Sequence, residues 1–161
     1  MKQLLRHSLL ATLGLSLLAS PCLAAFNGVV NLSAVVLSKS VCRFVTTSST
    51  LAFGSLDPGN PVTVNMSTSL TFRCQGSANP ATYQITPDDG LSPLGAGSPQ
   101  MQHLTNPGNY IPYSISLSTL SGTIPKNVNQ TLTIDGTILG SDYQTSIAGD
   151  YADTITISII P

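Results

Sequence analysis

The chain has 161 residues, of which 42% are hydrophobic and only 8% charged, and its formal net charge is −1. Binding to a phosphate backbone requires clustered Lys and Arg, so we expect no nucleic-acid partner. The fraction of charged residues is also lower than is typical of a disordered chain. The exposed surface must therefore consist largely of Ser, Thr, Asn and Gln.

Residues 1–24 are predicted to be a cleaved signal peptide. Lys2 and Arg6 give a basic start, an apolar run follows at 9–18, and small residues precede cleavage after Ala24 or one residue later. The run is shorter than the ~20 residues that span a membrane. Acylation of Cys22, as in a lipoprotein, is the alternative. The 137 remaining residues carry seven aspartates, four basic side chains and no glutamate, which suits one exported domain.

The segment 25–37 is predicted to be an N-terminal extension that forms a strand. Its apolar side chains alternate with polar ones, which is typical of a half-buried strand. Gly28 interrupts the pattern, and Val29 and Val35 are apolar on the opposite face, so the register stays open. Such a strand needs a partner, in the same chain or in another copy. The residues on the predicted apolar face are Phe26, Val30, Leu32, Ala34 and Val36.

Cys42 and Cys74 are the cysteines that follow the predicted leader. An even pair in an exported protein predicts a disulfide, which in the chain-entropy model stabilises a loop of this size by about 3–4 kcal/mol. A reactive or metal-binding pair is the alternative. Neither cysteine has a His or a second Cys nearby in sequence to complete a metal site, so we expect none.

The rest of the chain predicts about seven strands, because Thr, Val, Ile and Ser alternate between frequent Gly and Pro residues. Strands at this spacing favour a single antiparallel β-sandwich of immunoglobulin-like type. We expect loops at 91–108, with a short segment around Met101, and at 122–129. The predicted strands are Ser40–Thr46, Thr50–Gly54, Val62–Cys74, Ala81–Thr86, Tyr110–Leu117, Thr131–Leu139 and Tyr151–Ile160.

Catalytic signals are weak. His103 is the one histidine after the leader, and we interpret it as an exposed loop residue without an acidic neighbour in sequence. The run Asp88–Gly90 resembles a calcium-binding loop, but turn geometry needs the same residues. Asp150 is predicted to lie in a turn, and Asp153 to be an edge or solvent-facing charge. We therefore predict a protein that is not an enzyme and needs no cofactor.

The end of the chain carries a recognisable motif. Residues 148–157 read AGDYADTITI and resemble the closing motif of the spore coat protein U family, which includes the subunits of archaic, Csu-type chaperone–usher pili. Further matches, in the expected order, are Cys42, LAFG at 51–54, LTFRC at 70–74, YSI at 113–115 and LTIDGTI at 132–138.

The resemblance implies an incomplete sandwich that lacks its last immunoglobulin strand. A periplasmic chaperone lends a strand to the open groove, and at the outer-membrane usher the N-terminal extension of the next pilin subunit replaces it. The domain is then expected over residues 38–161. The groove edge, which receives the chaperone or donor strand, is assigned to Tyr151, Ile155, Ile157 and Ile159.

The resemblance thus predicts a subunit of a bacterial surface fimbria, exported through the periplasm, that supports adhesion and biofilm formation without a small-molecule substrate. Two alternatives stay open. One is a spore-coat, minor or capping protein of the same family. The other is a monomeric secreted or periplasmic binding module in which residues 26–36 fold back into their own sandwich.

Overall fold

The computed structural model of the chain describes residues 28–36 and 40–161. The predicted signal peptide, together with Phe26, lies outside the described residues. By its internal contacts the chain divides after Val35. Residues 28–35 have no regular secondary structure and are exposed, and all strands of the described residues lie in the second unit.

The second unit is built almost entirely of antiparallel strands. Their side chains alternate, so that each strand can turn an apolar face to the core and a polar face to water. The elements are β1 Ser40–Phe44, β2 Val64–Gly76, β3 Ala81–Pro87, β4 Gln100–His103, β5 Tyr110–Pro112, β6 Ser114–Leu117, β7 Ser121–Ile124, β8 Gln130–Ile138, the helix α1 Gly140–Tyr143, β9 Tyr151–Ala152 and β10 Ile157–Ile160.

Three sheets form the sandwich. The largest has the order β1-β2-β8-β6, and two smaller ones have the orders β10-β3-β7 and β5-β4-β9. The pairing of β2 with β8 is continuous from Val64 opposite Ile138 to Phe72 opposite Gln130. The predicted all-β, antiparallel fold is confirmed.

Cys42 and Cys74 are directly opposite each other on β1 and β2 and are joined by a disulfide bond. The predicted pair is therefore present, and it ties the first strand of the sandwich to its longest strand.

The core consists of two groups of buried side chains. The larger, which we call the disulfide cluster, contains Cys42, Leu70, Phe72, Cys74, Ala81, Ile85, Ile124, Leu132 and Ile134. The smaller, which we call the helix cluster, contains Ile111, Ile138 and Tyr143. In the helix cluster the Tyr143 hydroxyl donates to the Val62 carbonyl (2.9 Å) and accepts from the Val62 amide (2.8 Å), which fixes α1 to the chain before β2.

Two predicted strands are interrupted where the chain changes sheets. The predicted strand Tyr110–Leu117 divides at Tyr113: β5 pairs with β4, and β6 pairs with β8. The predicted strand Tyr151–Ile160 divides at residues 153–156, because β9 pairs with β4 and β10 with β3. Alternation cannot show these breaks, because it continues through them.

Three other predictions of secondary structure were wrong. Residues 50–54 are not a strand, because no described segment pairs with them. The predicted loop 122–129 contains most of β7, which pairs with β3. The helix α1 was missed, because four residues are too few to show a helical period. Its first turn is held by Asp142, whose carboxylate accepts from the Leu139 amide (3.0 Å).

Candidate functional site

An open groove crosses the sandwich beside its final strands. One rim is the segment 44–53, which follows β1, and the other is the segment 151–157. Between them lies a cavity of about 710 Å³. A second cavity, of about 560 Å³, extends toward α1. They form one groove, because both are lined by Leu51, Phe53, Met101 and Tyr151.

Each rim contains backbone that is not paired with a neighbouring strand on at least one side. Residues 47–56 make no backbone hydrogen bond with another described residue. On the other rim, β9 and β10 are each the outermost strand of their sheet. Unpaired N–H and C=O groups along an exposed edge are a template for a further strand.

The groove separates the two core clusters. Leu51 and Ile157 pack against the disulfide cluster, whereas Phe53 and Met101 pack against the helix cluster, and all four line the groove. These side chains are only partly buried. A strand laid along the groove would cover apolar surface of both clusters at once.

Asp153 fixes the groove rim to the loop that follows β3. Its Oδ2 accepts a hydrogen bond from the Tyr113 hydroxyl (2.7 Å), and its Oδ1 accepts from the amides of Leu91 (2.8 Å) and Thr154 (2.8 Å). Burial, reinforced by the hydrogen bond and negative charge of Asp153, raises the pKa of Tyr113, so this hydroxyl remains a donor. Asp153 was interpreted as an edge or solvent-facing charge. It lies between the edge strands β9 and β10, where three donors surround its carboxylate.

The close approach of this loop requires a glycine. Gly90 has a positive φ of +79°, and a Cβ atom at this position would lie 2.1 Å from Asp153 Oδ2. Next to it, Asp88 Oδ1 accepts from the amides of Thr156 (2.8 Å) and Gly90 (3.0 Å). The hydrogen bond from the Thr156 backbone is the main reason that the pKa of Asp88 lies below its usual value. The carboxylates of Asp88 and Asp153 thus hold the segment 153–156 in place beside the loop that follows β3.

His103 is buried, so the interpretation as an exposed loop residue was wrong. Its Nδ1 accepts from the amides of Thr105 (3.1 Å) and Asn106 (3.1 Å), which leaves Nε2 to donate to the Ala148 carbonyl (3.2 Å). The ring also packs edge-on against Tyr151, with centroids 4.8 Å apart. His103 therefore positions the chain that enters β9, and both ring nitrogens are used in doing so.

A family model described as the Spore Coat Protein U domain matches residues 27–158. The match covers most of the chain and includes both rims of the groove. The chain belongs to the Spore Coat Protein U domain family. The match begins inside the segment that was predicted to be a separate N-terminal extension, so the family pattern includes that segment.

No curated protein matches this Spore Coat Protein U domain chain. Among solved structures it is similar to a chain described as "Chaperone-tip adhesin complex is vital for synergistic activation of CFA/I fimbriae biogenesis", with 16% sequence identity and a TM-score of 0.46. The similarity covers 74% of the present chain and 41% of the solved one. The present chain thus spans about two fifths of that structure.

The predicted donor residues of this Spore Coat Protein U domain are exposed. Val30, Leu32 and Val36 are between 80% and 91% exposed, and none of them lies in a strand. Ala34 is exposed as well. Their role as a donor strand stays a prediction, since nothing in a single copy shows what they bind.

Of the four residues predicted for the groove edge, Tyr151, Ile155 and Ile157 line the groove. Ile159 instead packs against the disulfide cluster and is not among the groove-lining residues. Sequence reasoning missed the opposite rim and the floor. The alternation of Leu51 and Phe53 was the available signal for the rim, but a segment read as an ordinary paired strand gives no hint of an open side.

The described part of the chain shows neither a metal cluster nor a membrane-spanning helix. No group of three or more His, Cys, Asp or Glu side chains in residues 28–36 and 40–161 is arranged to hold a metal ion. Within the same residues, no helix has the length and apolar character needed to cross a membrane.

Proposed function

We propose that this Spore Coat Protein U domain is a non-enzymatic structural subunit of a bacterial surface fimbria and assembles by donor-strand exchange. In this mechanism the N-terminal segment of one copy fills the groove of another. The observation that carries the proposal is the groove itself, which divides the core. It lies between a segment without backbone hydrogen bonds, 47–56, and the edge strands β9 and β10.

The lengths of the two proposed partners agree. The rim from Tyr151 to Ile157 has seven residues, and so has the apolar stretch from Val30 to Val36. At about 3.3 Å per residue, both span roughly 20 Å when extended. The segment can therefore follow the whole rim without a bulge or an overhang.

The apolar surface on both sides gives the exchange its driving force. Val30, Leu32, Ala34 and Val36 are exposed in the single copy, and the groove offers partly buried apolar side chains. Burying an aliphatic side chain contributes about 1.5–3 kcal/mol, so four contribute on the order of 6–12 kcal/mol before the cost of ordering the segment. Main-chain hydrogen bonds to the rim would add specificity for an extended strand.

An unfilled groove is an aggregation hazard, which supports the need for a chaperone. Exposed apolar side chains beside unpaired edge strands favour association with any strand available. A periplasmic chaperone that lends a strand, followed by exchange at an outer-membrane usher, would keep the groove covered until the next subunit arrives. Export by the predicted signal peptide, display on the cell surface, and roles in adhesion and biofilm formation belong to the same proposal.

The non-enzymatic part of the proposal is supported by His103. Nucleophilic catalysis needs a base within reach of a hydroxyl or thiol. His103 is the one histidine in the described residues, and hydrogen bonds to the backbone occupy both of its ring nitrogens. It is therefore placed as a structural residue of the loop before β9.

The decisive experiment changes one side chain on each face of the N-terminal segment. Leu32→Asp puts a charge on the predicted apolar face, and Asn31→Asp puts the same charge on the opposite face. Each full-length variant is produced with the cognate chaperone, and oligomers that resist SDS without heating are counted. We expect Leu32→Asp to abolish the SDS-resistant oligomers and Asn31→Asp to retain them.

A matched pair of variants tests the groove. Ile155 lines the cavity, whereas Ser158 is exposed and does not. Ile155→Glu should prevent assembly, and Ser158→Glu should leave it intact. SDS-resistant oligomers from Leu32→Asp as abundant as those of the natural protein would show that the donor-strand proposal is wrong. Natural full-length protein that remains a stable monomer without a chaperone would show the same.

A further inference from the structure

The basic side chains of the sandwich lie together at one end. Arg43 and Arg73 are directly opposite each other on β1 and β2. The loop with the third, Lys126, is held at the same end, because the amide of Asn127 donates to the Cys74 carbonyl (2.8 Å). We call Arg43, Arg73 and Lys126 the basic end. They are the only Lys or Arg residues in the described part of the chain.

The aspartates lie elsewhere. Asp135 pairs with Ser67, six residues along β2 from Arg73, which corresponds to about 20 Å at the rise of a strand. Asp57 and Asp142 lie farther still, where α1 meets the chain before β2. Asp150 lines the same cavity as Tyr143 of α1. We call Asp57, Asp142 and Asp150 the acidic end.

The basic end has no counter-charge within the sandwich. No ion pair joins it to a carboxylate among residues 40–161, where all seven aspartates lie. Like charges directly opposite each other on paired strands are destabilising. In addition, Arg73 Nε is buried and has no hydrogen-bond partner. Arg43 is exposed, so its positive charge at this end is accessible to a carboxylate of another molecule.

The chain connectivity relates these ends to assembly. The first residue of β1, Ser40, lies at the basic end, opposite Gly76, and only residues 37–39 separate it from Val36. Four residue steps span at most about 14 Å. The basic end of a donor copy therefore stays close to the point at which Val36 leaves the groove of its neighbour.

The direction of insertion decides which charges meet. The rim runs from Tyr151, beside the helix cluster, to Ile157 at the disulfide cluster. A segment antiparallel to the rim brings Val36 out at the acidic end of the neighbour, and the basic end of the donor then faces opposite charge. A parallel segment would bring two basic ends together.

We infer that copies of this chain dock head to tail through an ionic contact between the basic end of one copy and the acidic end of the next, in addition to the strand. This inference rests on the proposed donor-strand exchange. Opposite charges at the two ends raise the encounter rate and favour one orientation, because electrostatic complementarity acts mainly on association and register.

Charge reversal at each end, in the full-length protein, tests the contact. Arg43→Glu with Lys126→Glu makes both ends acidic, and Asp57→Lys with Asp150→Lys makes both ends basic. Combining all four substitutions restores opposite charges with the polarity exchanged. Asp135→Lys is the control, because it changes the charge by the same amount per substitution away from both ends. The initial rate of SDS-resistant oligomer formation is measured after chaperone release.

We expect each one-ended reversal to slow assembly about tenfold at low salt and the fourfold variant to recover most of that loss. For the natural protein, raising NaCl from about 0.02 M to about 0.5 M should slow assembly by a similar factor, because the Debye length falls from roughly 20 Å to 4 Å. Asp135→Lys should change the rate less than twofold.

The outcomes separate this inference from the function on which it rests. Assembly that still requires Leu32, but whose rate changes with neither salt nor the reversals, would overturn the ionic contact and leave donor-strand exchange standing. A fourfold variant as slow as the one-ended ones would also overturn it. Thermal unfolding of each variant establishes that slow assembly does not arise from loss of the fold.

Discussion

The closed and open sides of this sandwich are made of similar strands that differ in their neighbours. On the closed side, β2 pairs along most of its length with β8 and is joined to β1 by a disulfide, and Leu132 is completely buried. On the open side, residues 151–157 alternate in the same manner, yet Ile155 and Ile157 remain only partly buried. The depth of burial is thus set by the second neighbour, which the open side lacks.

The side chains that stabilise the fold are therefore largely different from those that recognise another strand. Side chains on the closed side contribute to folding whether or not the groove is filled. Side chains on the open side contribute fully only when another strand covers them. Substitutions on the two sides should therefore differ in the state, with the groove empty or filled, whose stability they change.

The largest effect is expected on the closed side. Leu132→Ala removes a fully buried side chain from the disulfide cluster and should lower the free energy of unfolding by about 2–5 kcal/mol. Urea denaturation is followed in the Leu32→Asp background, where the proposal predicts a monomer, with and without a synthetic peptide of residues 28–36. We expect the same loss in both conditions.

Ile155→Ala gives the matched comparison on the open side. In the empty groove it should cost less than about 1 kcal/mol, because the side chain is already partly exposed, whereas peptide affinity should fall about tenfold or more. Equal costs for the two substitutions in the empty state would contradict the division between the two sides.

A smaller effect is expected from Gly136, where β8 passes beneath the rim. A Cβ atom there would lie 2.7 Å from Leu51 Cδ2 and 2.9 Å from Phe53 Cζ. Gly136→Ala should displace these side-chain ends at a cost of about 1 kcal/mol in stability, as is typical of mild overpacking. Peptide binding should weaken several-fold, because both side chains line the groove.

Gly95 supplies the control for this prediction, since a Cβ atom there meets nothing within 4 Å. Gly95→Ala should leave both urea stability and peptide affinity unchanged. Unaltered peptide binding in Gly136→Ala would show that the packing of residues 51–53 over β8 does not shape the groove.

The smallest effect concerns acid and Asp88. The hydrogen bond from the Thr156 amide holds the pKa of Asp88 below its usual value in the folded protein. The ionised carboxylate therefore stabilises the fold above about pH 4, and this contribution is lost as the pH falls through the folded pKa. Asp88→Asn keeps an acceptor for Thr156 but removes the charge.

The measurement is the difference in unfolding free energy between the natural protein and Asp88→Asn, each in the Leu32→Asp background. This difference should shrink as the pH is lowered from about 6 to about 3. The Asp88 carboxylate takes up a proton more readily in the unfolded than in the folded protein, whereas asparagine takes up none. A difference that stays constant with pH would show that the charge of Asp88 does not help to hold the rim.

Much of the fold follows from local patterns. Alternation identified six strand regions, from the one that contains Cys42 to the one that ends at Ile160, because a strand in a sandwich shows one face to the core and one to water. The same reasoning failed for residues 50–54, since local sequence does not reveal whether a strand has a partner. His103 was misjudged because its burial and its bond to the Ala148 carbonyl depend on chain that is distant in sequence.

By itself, the sequence determined the all-β class and the cysteine pair and predicted an alternating apolar segment at 25–37, because composition, cysteine count and two-residue periodicity are local properties. Only the tertiary structure decided that the chain changes sheets at Tyr113 and at 153–156, that residues 47–56 face an open side, and that basic and acidic side chains lie at opposite ends. Those features depend on which strands become neighbours, and neighbours are chosen by the packing of the whole sandwich.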